Sequence, residues 1–253
     1  MADQRANEPP AAYMVTCEHG GNEVPASFAD RFEGANARRC LHSHRGHDPG
    51  ALLVAGMLAE HWGVPLIAST VTRLLVDLNR SESSPTLMSE FSREVSATER
   101  EKILRTYYRP YRKRVFDRIE DAIRQHQRVV HLSIHSFAAR FRGRTRTLDL
   151  GVLFDPEREL ERSFCDAWIS ALRDRDPRRR VLANEPYAGT DDGLTTTCRE
   201  RYRPAEYLGI EIEITQRYVR RTKTGLTQVA NDLVETIVQV VRTGKLRVAE
   251  PRI

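Results

Sequence analysis

Residues 13–25 read Tyr-Met-Val-Thr-Cys-Glu-His-Gly-Gly-Asn-Glu-Val-Pro. A short apolar run meets an acid, a histidine and two glycines. A run of this kind ending in Gly-Gly predicts a buried strand leaving the core. Glu18 and His19 then stand at the carboxyl end of the strand, the edge at which open α/β sheets bind their ligands. Glycine reaches backbone conformations closed to other residues and lets a ligand approach closely. A plain strand and turn, with His19 on the surface, has the same pattern. The rest of the chain decides between the two.

Outward from this strand, apolar elements alternate in type. A helix is expected over 51–61, with Leu52, Leu53, Ala55, Met57 and Leu58 apolar and Gly63 ending it. A buried strand follows over 64–71, and it delivers the polar segment 72–80. Thr98 and Glu101 fit a capping box that opens a helix running to about 126. Its buried stripe is Ile103, Tyr107, Tyr111, Val115, Ile119 and Ile123, spaced four apart, and Pro110 predicts a kink. Strands are expected over 128–136, 148–154, 181–183 and 209–215, and helices over 157–173 and 225–242. Residues 23–49 read as irregular, punctuated by Pro25, Gly46, Pro49 and Gly50. The alternation predicts an α/β fold: a mixed, mostly parallel sheet with helices on both faces. It forms a single domain over 11–253 behind a polar tail over 1–10.

Composition narrows the function classes. With 40% hydrophobic and 30% charged residues among 253, a packed core is expected and disorder is not. No apolar run approaches the roughly 20 residues of a membrane span. The N-terminus lacks the apolar segment of a signal peptide. Cys17, Cys40, Cys165 and Cys198 show no CxxC pairing, so they read as reduced thiols of a cytoplasmic protein. The net charge is +5 and nearly all the cations are arginine. They alternate with acids except over 140–146 and 178–180. A nucleic-acid contact would lie there and would weaken steeply with salt, but it would leave the gathering of acids and histidines at strand ends unexplained.

That gathering is the chemical signal. Glu18 and His19 end the first strand, Asp48 lies in the loop beyond it, and His135 ends the strand over 128–136. Glu211 and Glu213 share one face of the strand over 209–215. Two histidines and one carboxylate with a fourth position open form a catalytic zinc arrangement. A further glutamate can serve as general base towards water at a metal. The bland alternatives are hydrogen-bonded structural histidines and acids on the solvated face of an edge strand. Arg73, Asn79 and Arg80 form a second cluster. An arginine fork binds a carboxylate in bidentate fashion, Asn79 adds an amide donor, and Asp77 is placed to orient one arginine. Its alternative is a surface turn.

In these residues the chain resembles the N-formylglutamate amidohydrolase family. The matching pieces run in order: Glu-His-Gly-Gly-Asn-Glu-Val-Pro at 18–25, Asp-Pro-Gly-Ala at 48–51, Arg-Leu-Leu-Val-Asp-Leu-Asn-Arg at 73–80, Tyr-Arg-Pro-Tyr at 108–111, Ile-His-Ser-Phe at 134–137, Asp-Leu-Gly-Val-Leu at 149–153, Asn-Glu-Pro-Tyr at 184–187 and Ile-Glu-Ile-Thr-Gln at 212–216. The resemblance implies a fold similar to the zinc carboxypeptidases and a metal-dependent hydrolase of amino-acid catabolism. It would cleave an N-acyl amino acid, N-formyl-L-glutamate first, with another N-acyl amino acid or a small peptide as the alternative. It implies His19 and His135 as ligands of Zn²⁺ or another divalent metal. Asp48 is the third ligand and Glu18 its rival. It further implies Glu213 as base, with Glu211 one pleat away as the other candidate, and Arg73, Asn79, Arg80 and Tyr111 as substrate-binding groups. The chain departs from the histidine-degradation branch, which has Pro-His-Ser-Gly at the first piece and Tyr-His where Tyr111-Arg112 stand here. Glu23 lacks the His-x-x-Glu spacing of a carboxypeptidase ligand and is not assigned as one.

Overall fold

The structure, a computed structural model, describes residues 11–221 and 223–242. The tail expected over 1–10 lies outside them. The elements run β1 (Ala12–Cys17), a 3₁₀ turn (Ala26–Phe32), α1 (Ala35–Leu41), α2 (Ala51–His61), β2 (Leu66–Ala68), α3 (Ala97–Ile103), a π-helical turn (Leu104–Tyr108), α4 (Arg109–His126), β3 (Val129–Phe137), β4 (Arg140–Phe141), β5 (Arg144–Thr145), β6 (Leu150–Leu153), α5 (Glu159–Arg175), β7 (Val181–Ala183), α6 (Leu194–Arg201), β8 (Tyr207–Thr215), α7 (Arg217–Arg221) and α8 (Lys223–Arg242). One six-stranded sheet has the order β2-β1-β3-β8-β6-β7. Every pair is parallel except β6 with β8. This is the mixed, mostly parallel α/β sheet expected.

Each strand divides its side chains between two cores. Val15, Val130, Leu132, Ile134, Ile210 and Ile212 face α2, α5 and α8, which bring Leu58, Trp168 and Leu233 against them. Burying each such side chain stabilises by about 1.5–3 kcal/mol. Ala12, Met14, Val129 and Tyr207 face α4, which brings Tyr111, Val115 and Ile119. Towards the carboxyl ends of the strands this second face turns polar: Thr16, His131, Ser133, His135 and Glu213 are all buried. The chain passes from β1 to β2 on one side and then to β3 on the other. The sheet therefore reverses its order between the ends of β1 and β3, where ligands bind in folds of this type.

Several local expectations are corrected. The capping box belongs to Ser96 and Glu99, two residues earlier than Thr98 and Glu101: Glu99 N–H donates to Ser96 Oγ at 3.2 Å and Ser96 N–H to Glu99 Oε2 at 3.1 Å. The long helix carries a π-helical turn just before Pro110. Its extra residue breaks the four-residue spacing, so Tyr108 is buried and Tyr107 only partly so. The segment 23–49 holds the 3₁₀ turn and α1. Gly20 and Gly21 lie against the main chain that follows β2. A Cβ on Gly21 would lie 2.6 Å from Thr70 O, and the close backbone approach lets Glu23 N–H donate to Thr70 O at 2.9 Å.

Candidate active site

β1 and β3 are parallel neighbours, so their exits lie side by side. His19 leaves β1, His135 lies near the end of β3, and the loop before α2 returns Asp48 to them; Asp48 N–H donates to His19 O at 2.9 Å. Ligand atoms of His19, Asp48 and His135 all lie within 4.8 Å of one another, and all three residues are buried. The two rings face Asp48 Oδ2 through Nδ1, His19 at 3.3 Å and His135 at 2.9 Å.

The far nitrogens explain what this arrangement accepts. His19 Nε2 donates to Asp77 Oδ1 at 2.7 Å. His135 Nε2 faces Ser133 Oγ at 2.8 Å and Glu18 Oε2 at 3.1 Å. With Nε2 protonated and donating, each neutral ring turns an Nδ1 lone pair towards a carboxylate oxygen. Acceptors face acceptors, and only a proton or a cation between them makes the contact favourable. Burial pushes the His135 imidazole down, but Asp48 and Glu18 outweigh it and hold it well above its usual range. Burial likewise opposes ionisation of Asp48, and His19 and His135 overcome it, keeping the carboxyl below the usual range. A carboxylate holding the outer nitrogen of each ring is the support that metal-binding histidines need. The donor set fits a divalent cation.

Glu18, the rival ligand, is turned away from Asp48. Its carboxylate accepts from Tyr111 Oη at 2.9 Å and Ser133 Oγ at 2.6 Å as well as from His135. Burial pushes this carboxyl up, and the His135 contact and the Ser133 hydroxyl together hold it below the usual range. Tyr111 is not brought to the cleft. It is buried, and its hydroxyl donates to Glu18 and to Ile67 O at 3.1 Å.

Glu211 and Glu213 lie on a central strand, not an edge, so the solvated-face alternative falls. They differ in their surroundings. Glu211 accepts from Thr195 Oγ1 at 2.6 Å and from Asn79 Nδ2 at 3.5 Å. Glu213 pairs in register with His135, and its Oε2 is buried with no hydrogen-bond partner among the described residues. Burial, reinforced by Asp48 and Glu211 against His135 and Arg73, pushes the Glu213 carboxyl up to about 8. Gly151, its neighbour on β6, leaves room for the loop above: a Cβ there would lie 1.9 Å from Glu185 O.

The second cluster also converges. Arg73 binds Asp77 Oδ2 through Nε at 3.1 Å and Nη2 at 2.6 Å and reaches Asp48 Oδ1 at 3.6 Å. Asp77 thus joins His19 to Arg73, a link that residue spacing does not reveal. Asn79 Oδ1 accepts from Leu194 N–H at 2.7 Å, at the start of α6, a helix absent from the sequence reading. Arg80 donates to the carbonyls of Asn79 at 3.0 Å and Asp192 at 2.5 Å. Arg112 is buried behind this segment over the Tyr108 and Phe116 rings and donates to Leu78 O at 3.3 Å. His19, Asp48, Arg73, Asn79, Arg80, His135, Glu211 and Glu213 line one cleft of about 180 Å³, closed further by His44, Phe137, Tyr187 and Asp192. Its size suits a small molecule.

In the arginine-rich run over 178–180 two side chains have acidic partners. Arg178 pairs with Asp176 at 3.2 Å, and the buried Arg179 pairs with Asp232 at 2.7 Å. All four cysteines are buried and unpaired. Among the described residues no helix is long and apolar enough to cross a membrane.

The family model described as N-formylglutamate amidohydrolase matches residues 11–219. The chain is similar over its length to the crystal structure of gene product Atu2144 from Agrobacterium tumefaciens, with 26% identity, a TM-score of 0.76, and 95% of this chain and 94% of that one covered. It shares its fold with N-formylglutamate amidohydrolase from Ralstonia eutropha JMP134, at 20% identity and a TM-score of 0.70, with 94% and 96% covered. No curated protein matches the sequence.

Proposed function

Because the chain belongs to the N-formylglutamate amidohydrolase family, we propose that it is a zinc-dependent hydrolase of N-acyl amino acids, with N-formyl-L-glutamate as substrate and formate and glutamate as products. The observation that carries this reading is the pair of inward Nδ1 atoms facing Asp48, each ring held from behind by a carboxylate. His19, Asp48 and His135 would hold the cation. When bound, it supplies positive charge that acidifies water and polarises the amide carbonyl. Glu18 and Asp77 orient the two rings.

Glu213 is the base in this reading. Its Oε2 is buried without a hydrogen-bond partner among the described residues, whereas Glu211 is tied to Thr195 and Asn79. Its Oε2 takes the proton of the attacking water and later delivers it to the departing nitrogen. A nearby cation lowers a carboxyl raised by burial, which brings Glu213 into the ionised form a base requires. Arg80 holds the α-carboxylate of the substrate, and Arg73 adds charge at the same end while fixing Asp77. Asn79 acts indirectly by placing Glu211 and the start of α6. Orientation of this kind supplies much of the advantage over reaction in water. The cleft volume favours a single acyl amino acid over a peptide. The chemistry is that of amino-acid catabolism in the cytoplasm.

The test is metal content of the purified protein together with formate release from N-formyl-L-glutamate, before and after chelation. About one zinc per chain with formate release that chelator abolishes and zinc restores supports the reading. Metal-independent formate release, or no release from any N-formyl amino acid after zinc loading, overturns it.

A further inference from the structure

The arginines around the cleft differ in what neutralises them. Arg73 is paired with Asp77 and Asp48. Arg80 meets main-chain carbonyls only. Arg146 has no carboxylate partner among the described residues. Its guanidinium carbon lies 4.6 Å from the Phe141 ring centroid, 5.3 Å from that of Tyr187 and 5.7 Å from that of Phe137. Among the described residues the polar contact of its side chain is a long one, Nη1 to Tyr187 Oη at 3.4 Å.

This guanidinium packs against two walls of the cleft. Phe137 and Tyr187 line it. Phe141 meets His44, another lining residue, edge to face at 6.5 Å. Burial, with the charges of Arg45, Arg73 and Arg146 behind it, depresses the His44 imidazole despite Asp48. The main chain of Arg146 is fixed at both ends: its N–H donates to Ala139 O at 2.9 Å, and its carbonyl accepts from Arg217 Nη1 at 3.0 Å. Phe141 and Tyr187 are 39% and 42% exposed, so the ring walls open outward and do not seal the cation off. An arginine stacked on rings keeps its N–H edges free for an acceptor. Because it is already positioned, less conformational entropy is lost when an anion binds.

Resting on the N-acyl amino acid reading above, we propose that Arg146 receives a second carboxylate, at the end of the substrate's side chain. Arg146 is then the residue by which the cleft tells a dicarboxylic from a neutral amino acid. The α-carboxylate is attached next to the scissile nitrogen and stays deep, near Arg80. A side-chain carboxylate lies several bonds further out and reaches the ring-walled rim, where Phe137 and Tyr187 flank the intervening methylenes.

The experiment compares N-formyl-L-glutamate with its neutral isostere N-formyl-L-glutamine on the zinc-loaded wild type, Arg146→Gln and Arg146→Lys. It also measures by calorimetry the binding of L-glutamate and L-glutamine to each protein, with and without zinc. A charge-assisted hydrogen bond in a partly enclosed site is worth about 10–100-fold. The wild type should therefore prefer the glutamate form by about that factor in kcat/KM, mostly through KM. Arg146→Gln should bring the ratio towards unity, with an unshifted melting temperature and zinc content showing that the variant is folded. Arg146→Lys should keep part of the preference. A ratio unaltered in Arg146→Gln overturns the proposal and leaves the hydrolase reading standing. Arg146-dependent binding of glutamate over glutamine, with no formate released from either substrate, supports the subsite and overturns the hydrolase reading.

Discussion

His19 Nε2 donates to Asp77 Oδ1 at 2.7 Å, and the other oxygen of the same carboxylate grips Arg73 at 2.6 Å. One buried carboxylate thus fixes the tautomer of a metal-binding candidate and anchors a cation of the cleft. Replacing Asp77 by Asn keeps the shape and removes the charge. Outer carboxylates on metal-binding histidines contribute about 10–100-fold in affinity. Asp77→Asn should weaken zinc by that order, measured by competition with a chromophoric chelator. Unchanged zinc affinity would show that the His19–Asp77 contact has no part in metal binding.

Glu213 links activity to stability. An acid whose folded pKa is about 8 and whose ordinary value is 4.5 keeps its proton on folding where the unfolded chain releases it. The metal-free protein therefore loses stability as pH rises from 4.5 through 8. Glu213→Gln removes that titration. Its melting temperature without metal should exceed that of the wild type at pH 8, and its pH dependence across the window should be flatter. The same variant should bind zinc normally and lose about 10²–10⁴-fold in kcat. Full activity in Glu213→Gln would pass the role of base to Glu211.

His131 gives the opposite slope. Its ring lies between Tyr207 Oη at 2.7 Å and Thr16 Oγ1 at 2.9 Å. Burial, helped by Arg199 and His135 against Glu18, depresses its pKa from 6.5 to about 4. The unfolded chain takes up a proton first, so stability is lost as pH falls from 6.5 through 4. The loss amounts to about 3 kcal/mol for this group. His131→Gln should be less stable at pH 7 but less sensitive over pH 4–6.5, read by denaturant unfolding at several pH values. Equal slopes would mean that the His131 pKa does not change on folding.

Tyr111 separates a buried support from a substrate contact. Tyr111→Phe removes the donor to Glu18 and to Ile67 O. Losing a buried hydrogen-bond partner costs about 1–3 kcal/mol of stability. KM for N-formyl-L-glutamate should not change, while the denaturation midpoint falls. A tenfold rise in KM at unchanged stability would return Tyr111 to the substrate.

Much of this protein was legible along the chain. The buried β3 and β8, with apolar residues on one face and His135, Glu211 and Glu213 on the other, follow from a period of two and β-branched residues. So does the sheet class, from the alternation of elements. α6 was invisible because Leu194–Arg201, Leu-Thr-Thr-Thr-Cys-Arg-Glu-Arg, has little apolar periodicity and is held by Asn79 and Arg158 from elsewhere in the chain. The π-helical turn was equally hidden. One extra residue in a helical ladder changes no composition, yet it turns both Tyr108 and Tyr111 inward.

Residues of the right chemistry could be read along the chain at strand exits and on one strand face, Glu18, His19, His135, Glu211 and Glu213, with Asp48 in the loop before α2. Strand exits are marked by local signals, an apolar run ending in polar residues and glycine. Their division of labour comes from contacts made in the fold. Asp48 joins the two histidines because β1 and β3 are parallel neighbours, and Glu18 turns from them because Tyr111 and Ser133 hold it. Glu213 Oε2 has no hydrogen-bond partner among the described residues, while Thr195 and Asn79 hold Glu211. Those contacts join residues tens to more than a hundred positions apart, and no pattern of spacing along the chain records which partner reaches a carboxylate first.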